Sequence, residues 1–335
     1  PKLPRLPARK KWAEMTSAPA AAAKNIKNAT GSDALRVLMP TRFRHFLLIL
    51  LSSVLLVLPF HFGECGFLAF IALVPFFFVI DGKAAGGAFK YSYLFGFLFF
   101  SFLGYWLTLV NILGFVLLAA YLASYFAFFG WMAAPFLSPE AESAHMRAAR
   151  NLKAVFFIPA FWVVLEYVRG WPLGGFPWAL LAYSQWKNIP WMQVADFSGA
   201  YGVSFFLVLA NAVVYKLIRW FFFTDKKAAI PAGEGEPKIL YARNLFLILA
   251  VVLALVFGYG QWTLSARDAF YLSSKPKAAL RIAVVQGNIP QDQKWDNRIK
   301  TIIFEKYKRL TLMAALEKSD LIVWPETAFP GYLED

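Results

Sequence analysis

Apolar runs long enough to cross a lipid bilayer recur along the chain up to residue 264, and they decide what the rest can be. A crossing needs roughly 20 residues. Seven stretches qualify, at 44–60, 63–80, 91–110, 113–136, 152–168, 198–218 and 244–264. The first two are short and closely spaced, which suits a tilted or tight hairpin. Lipid offers the backbone no hydrogen bonds, so such runs must fold as helices that satisfy their own. With 59% hydrophobic and only 16% charged residues, the chain is far more apolar than a soluble domain needs. The expected architecture over residues 42–265 is a polytopic α-helical membrane bundle.

The net charge of +14 does not point to nucleic acid, because no compact basic domain is present to carry it. Basic residues instead collect between alternate apolar runs. Lys83 and Lys90 follow the second, Arg147, Arg150 and Lys153 the fourth, and Arg219, Lys226, Lys227, Lys238 and Arg243 the sixth. The intervening "PFHFGEC" and "VNILG" have none. Lys and Arg accumulate on the cytoplasmic side, so the pattern predicts a cytoplasmic N-terminus and places everything after Leu264 on the outer face. Arg169 and Lys187, in the fifth-to-sixth loop, are a partial exception. Residues 1–41 combine Pro, Ala, Lys and Arg without an apolar period and read as a disordered basic arm; Arg42 and Arg44 then precede an uncleaved first helix. One cysteine, Cys65, excludes an intrachain disulfide framework and reads as a buried structural thiol. The three histidines show no ligand spacing, so no metal site and no cofactor is expected.

The stretch "FWVVLEYVRGWPLGGFPWALLAYSQWKNIPW" departs from the plain apolar runs. Glu166 and Arg169 stand three apart at a helix end, close enough to pair, and ionisable groups at that depth tend to mark function. A snorkelling arginine beside its counter-ion answers the same pattern. Pro172, Pro177 and Pro190 then forbid one continuous helix, and the tryptophans favour the headgroup level. The segment near 170–197 therefore reads as a re-entrant or interfacial element, with a plain aromatic-belted loop as the other reading.

After Leu264 the texture changes. Residues 266–279 are polar and turn-rich, as in a linker. "LRIAVVQGNI" (280–289) fits a buried strand ending in a tight turn. Asp296 can cap a helix whose Ile299, Ile302, Ile303, Tyr307, Leu310, Met313 and Leu316 recur at helical spacing, and "DLIVWPE" gives a second strand. Strand, crossover helix and parallel strand open an α/β domain. Ligand sites in such sheets lie beyond the carboxyl ends of the strands, where Glu326 stands. Local pattern alone allows either a general base or a surface acid.

Four stretches, "RGWPLGGFPWALLAYSQ", "GAYGVSFFLVLAN", "RIAVVQGNIPQDQKWD" and "LIVWPETAFP", together resemble bacterial apolipoprotein N-acyltransferases, in that family's order. "WPE" is shared with nitrilase-like amidases; its combination with "GFPW" is far more specific. The resemblance implies an inner-membrane bundle followed by a nitrilase-like (αββα) domain in the periplasm, begun here by residues 280–335. It implies transfer of an acyl chain from a phospholipid, typically phosphatidylethanolamine, to the α-amino group of a diacylglyceryl-cysteine apolipoprotein. Glu326 matches the family's catalytic glutamate and Trp295 the tryptophan of its "KW" segment. Phe176, Trp178, Glu166 and Arg169 join Trp295 as candidate substrate-binding residues. The family's catalytic lysine and nucleophilic cysteine have no counterpart before the chain stops nine residues after Glu326, so this chain alone is expected to be inactive. A membrane-tethered nitrilase-type amidohydrolase would share Glu326 and is the rival reading. A transporter would leave the α/β segment unexplained, and the spans show no internal repeat.

Overall fold

The computed structural model describes residues 40–137, 144–223, 238–273, 280–290, 293–326 and 328. The N-terminal arm to residue 39, the basic stretch holding Lys226 and Lys227, and positions 274–279 of the expected linker lie outside the described residues. The chain divides into two compact units, Pro1–Ala266 and Arg267–Asp335.

The first unit is a helical bundle. Its long helices are α1 (Thr41–His61), α3 (Ala85–Leu103), α4 (Ile112–Leu137), α5 (Ala144–Val168), α7 (Ala195–Phe223) and α8 (Lys238–Ser273), with the short α2 (Val74–Ile80) and α6 (Ile189–Met192) between them. Among the described residues, five segments are long and apolar enough to cross a membrane: Thr41–His61, Gly63–Ile80, Ile112–Leu137, Ala195–Phe222 and Arg243–Phe270. The expected crossing at 91–110 is α3 as far as Leu103 and then a 3₁₀ turn, Tyr105–Leu109, and it stands outside that set, diluted by Lys90, three glycines and two tyrosines. The expected crossing at 152–168 lies within α5, whose side chains are described only from Lys153 on. The expected linker is also corrected in part, because α8 runs unbroken through "SARDAFYLS" to Ser273. No proline or glycine interrupts that stretch, so helix propagates through its polar residues.

Aromatic packing fills the bundle. Phe76 stacks on Phe95 at 4.4 Å, and Phe129 and Phe126 each meet Trp162 edge-on at 5.0 Å. α3 lies along α4, and α5 along α7. Between α1 and α2 the chain is a 3₁₀ segment, Gly63–Phe70, followed by a turn before α2 begins. Cys65 is half-buried there rather than fully enclosed, because a 3₁₀ turn presents it partly outward. This break is held by Asn211 of α7. Its Oδ1 accepts from the Leu73 N–H (2.8 Å), and its Nδ2 donates to the carbonyls of Ala69 (2.7 Å) and Leu207 (2.8 Å). Ser52 of α1 adds a short bond to the Ala72 carbonyl. Irregular backbone in a bundle persists only where protein groups replace the lost helical bonds.

In the second unit, β1 (Ile282–Val284) and β2 (Leu321–Val323) pair in parallel, Ala283 opposite Ile322. Between them run a 3₁₀ turn (Asn297–Ile299) and α9 (Lys300–Leu316). Asp296 caps the turn, accepting from the Arg298 N–H at 2.9 Å, and its carboxylate also pairs with the Arg298 guanidinium. A small core gathers Val285, Ile303, Tyr307 and Ala328 with Ile322 and Trp324 beside them. Gly287 lies so close to Tyr307 that a Cβ there would sit 2.5 Å from the ring. The opposite sheet face, carrying Ile282, Val284, Leu321 and Val323, is exposed. Ile302, Met313 and Leu316 of α9, expected on its apolar stripe, are exposed as well.

A strand-end glutamate and an apolar pocket

Glu326 follows β2 and Pro325 and is exposed, in a turn that the Ala328 N–H closes onto the Pro325 carbonyl (3.2 Å). Because the strands are parallel, the Gln286–Asn288 turn after β1 lies at the same end of the sheet. Gln286 Nε2 donates there to Asn288 Oδ1 at 2.7 Å. Trp295 occupies the turn preceding Asp296, on the connection from β1 to α9, and is also exposed. An exposed carboxylate beside a strand-end turn has the freedom to accept a proton from a group brought to it.

In the bundle, the segment after α5 folds back on itself. The Phe176 N–H donates to the Arg169 carbonyl at 2.9 Å, closing a loop that includes the 3₁₀ turn Pro172–Gly174. Gly175 is required by this closure: its φ is 76°, and a Cβ would fall 2.1 Å from the Gly170 carbonyl oxygen. Glu166 and Arg169 are both buried, at 4% and 3% exposure. Among the described residues they do not form the direct ion pair their spacing suggests. Each reaches a different part of the returning backbone. Glu166 Oε1 accepts from the Leu181 N–H (2.7 Å) and the Trp162 indole N–H (2.9 Å). The Arg169 guanidinium donates through Nη2 to the carbonyls of Trp178 (2.9 Å) and Ala179 (3.2 Å), and it lies 5.4 Å over the Phe100 ring. Unpaired backbone donors and acceptors attract the charged groups more strongly than the partner three residues away, because lipid leaves them no alternative. A void of about 20 Å³ lies against the pair, lined also by Tyr125 and Phe129, with room for one water.

The same segment walls a pocket of about 300 Å³ at the end of the bundle. Phe60 and His61 of α1, Phe100 and Leu103 of α3, Trp106, and Phe115 and Leu122 of α4 line it opposite Phe176, Trp178 and Ala179. Trp106 and Trp178 stack at 5.9 Å across it, and Phe176 sits 5.5 Å from Trp178. The structure therefore brings Phe176 and Trp178 together on one apolar cavity. Glu166 and Arg169 are not among its lining residues.

The profile of the apolipoprotein N-acyltransferase N-terminal domain matches residues 52–213, the stretch that holds both the pocket and the Glu166–Arg169 loop. The chain belongs to the apolipoprotein N-acyltransferase family. It is 33% identical over 304 residues to the apolipoprotein N-acyltransferase of Geobacter metallireducens, covering 87% of this chain and 53% of that protein. With the Haemophilus influenzae protein of the same name it shares 28% identity over 310 residues, 88% of this chain and 53% of the relative. The chain thus spans about half the length of the curated relatives it matches. Reading the sequence for this N-acyltransferase relative missed Asn211, Ser204 and Gln185. Ser204 Oγ accepts from the Ala182 N–H at 3.0 Å, and Gln185 Nε2 reaches the Gly66 carbonyl at 2.8 Å. The signal for the first was available: a lone asparagine inside "FFLVLANAVVY" is costly in lipid unless bonded.

Proposed function

We propose that this chain supplies the membrane unit and the opening of the catalytic unit of an enzyme that moves an acyl chain from a phospholipid to the N-terminal amine of a diacylglyceryl-cysteine apolipoprotein. The observation that carries this reading is the apolar, aromatic-walled pocket of about 300 Å³ formed by the "GFPW" segment inside the domain the family profile matches. A cavity of that size, walled mostly by aromatic and aliphatic side chains, suits a lipid chain. The relatives' name, apolipoprotein N-acyltransferase, supplies the reaction class and favours transfer over hydrolysis.

The proposed arrangement is a bundle of seven spans in the bacterial inner membrane, over residues 42–265, with its N-terminus in the cytoplasm. The unit after it lies on the periplasmic face, where residues 280–335 begin a nitrilase-like domain. The uncovered apolar face of β1 and β2 supports this, since parallel sheets are stable when both faces are covered. Glu326 acts as the general base, first for a thiol that attacks the phospholipid ester and expels the lysophospholipid, and later for the amine that attacks the resulting thioester and releases the thiol. The tetrahedral intermediates carry an oxyanion that a lysine can stabilise; the family resemblance matches no residue of this chain to that lysine or to the attacking thiol. Trp295, Phe176 and Trp178 contact substrate, and phosphatidylethanolamine is the proposed donor.

The test follows radiolabelled acyl chains from phospholipid to enzyme and then to a diacylglyceryl-cysteine peptide, using the complete gene. Glu326→Gln removes the base while keeping the shape, and both steps should slow by about 10²- to 10⁴-fold. Near-normal accumulation of acyl-enzyme would make Glu326 a structural residue. Release of free fatty acid without peptide acylation would return the tethered hydrolase.

A further inference from the structure

Ala179 has φ of 58°, a left-handed backbone that is unfavourable for any residue with a side chain. It lines the apolar pocket between Trp178 and the chain that leads into Leu181. On either side of this strained point the backbone is held by α5. Arg169 takes the two carbonyls, of Trp178 and Ala179, and Glu166 takes the N–H of Leu181. One side chain supplies only donors and the other only acceptors, matching the two kinds of orphan group that a chain reversal leaves. Both are more than nine-tenths buried, and neither lines the pocket. A pair serving only as counter-ions would meet directly; this pair diverges onto separate peptide groups.

We propose that Glu166 and Arg169 are positioning residues that hold Trp178–Leu181 with Ala179 left-handed, and so fix the pocket wall against which an acyl chain packs. This replaces direct substrate contact as the role of the two charged groups. It rests on reading the pocket as an acyl site, and its test separates the two. The left-handed turn at an alanine costs roughly a factor of ten in population. Weakening the clamp should therefore release the wall, and a glycine at 179, which adopts that conformation freely, should make the clamp dispensable.

The experiment uses membranes carrying the complete protein and a phosphatidylethanolamine with a photoactivatable diazirine in one acyl chain. Crosslinked peptides are mapped by mass spectrometry, and thermal stability is recorded alongside. The unaltered protein should label at Phe176–Ala179, and Ala119→Trp, which fills the cavity from α4, should abolish that label. Arg169→Lys keeps the charge but loses the fork that spans two carbonyls, and should lower labelling about tenfold. Arg169→Lys with Ala179→Gly should regain most of it, whereas Ala179→Gly alone should label as the unaltered protein does. Should Arg169→Lys fail to accumulate, Glu166→Leu, which removes the acceptor, is read in the same way with and without Ala179→Gly. Labelling that never reaches the pocket, or that ignores Ala119→Trp, overturns the acyl-site reading and the clamp with it. Labelling blocked by Ala119→Trp but unchanged by Arg169→Lys and Glu166→Leu overturns the clamp alone. Loss that Ala179→Gly does not restore also overturns it, since a purely structural arginine would behave so.

Discussion

Replacing Asn211 by leucine keeps the size of the side chain and removes every bond it makes, so it isolates what holds the break between the 3₁₀ segment and α2. Three contacts are lost: the Leu73 N–H at 2.8 Å, the Ala69 carbonyl at 2.7 Å and the Leu207 carbonyl at 2.8 Å. The last lies four residues earlier on the same helix, where the helical ladder still serves that carbonyl, so its loss is minor. The Leu73 donor and the Ala69 acceptor belong to irregular backbone, and Asn211, Ala69 and Leu73 are all fully buried. An unsatisfied buried group costs about 1–3 kcal/mol. Polar contacts in membrane bundles average nearer 0.6 kcal/mol, because the unfolded chain in lipid also finds partners. Together these set the expected destabilisation at about 2–4 kcal/mol, near the upper part of the range for single substitutions. Unfolding of the purified protein in mixed micelles, driven by increasing SDS fraction and followed by tryptophan fluorescence, measures it. A variant within about 0.5 kcal/mol of the parent, the usual scatter for neutral changes, would refute the account of the break.

Gly175→Ala places a Cβ against the Gly170 carbonyl oxygen at a φ of 76°; backbone strain of about 1–3 kcal/mol adds to that clash, so a thermal-shift assay should show a larger loss than for Gly174→Ala, which at a φ of 87° carries the strain without the clash. Asp296→Ala should weaken the start of α9 in a pH-dependent way. The Arg298 guanidinium, and then its backbone N–H, hold the Asp296 carboxyl below its ordinary value, so its contribution is present above the unfolded pKa and disappears as pH falls through the folded one. Amide exchange of residues 297–303 should differ between parent and variant near neutrality and converge well below about pH 4. In a Cys65-free background, a cysteine at Leu109 should react with a membrane-impermeant thiol reagent in spheroplasts while one at Lys83 stays protected; the reverse would invert the proposed orientation.

How much of this was legible depended on whether a signal was periodic or relational. Apolar runs announce helices, and α1, α4, α7 and α8 lie where the runs lie. Strand, helix and strand followed from two apolar runs and an aspartate between them, although one face of the sheet is exposed and Asp296 caps the 3₁₀ turn before α9 rather than α9 itself. Glu166 and Arg169 stood out as charges in an apolar context, but their partners did not. Spacing along a helix says which side chains can meet; it does not say that backbone groups arriving from ten or more residues downstream will compete for them. The end of the linker failed for a related reason, since polarity alone does not stop a helix that has no proline or glycine to end it.

Six of the buried polar side chains of the bundle share a task that explains their positions. Asn211 and Ser52 hold the break before α2, Gln185 reaches the 3₁₀ segment at Gly66, and Ser204, Glu166 and Arg169 hold the backbone from Trp178 to Ala182. Each of these bonds joins a side chain to irregular main chain, and most reach across helices that are distant in sequence. Where lipid supplies no hydrogen bonds, an interrupted helix survives only if another element supplies them, so the two irregular regions must be assembled together. Gln185 makes the connection concrete, binding Gly66 through Nε2 while its Oε1 accepts from Asn188 at 2.8 Å. A change in the break before α2 should therefore be felt at the pocket wall, and Asn211→Leu should reduce acyl labelling at Phe176–Ala179 even where the protein remains folded. Full labelling in that folded variant would show that the two irregular regions are stabilised separately.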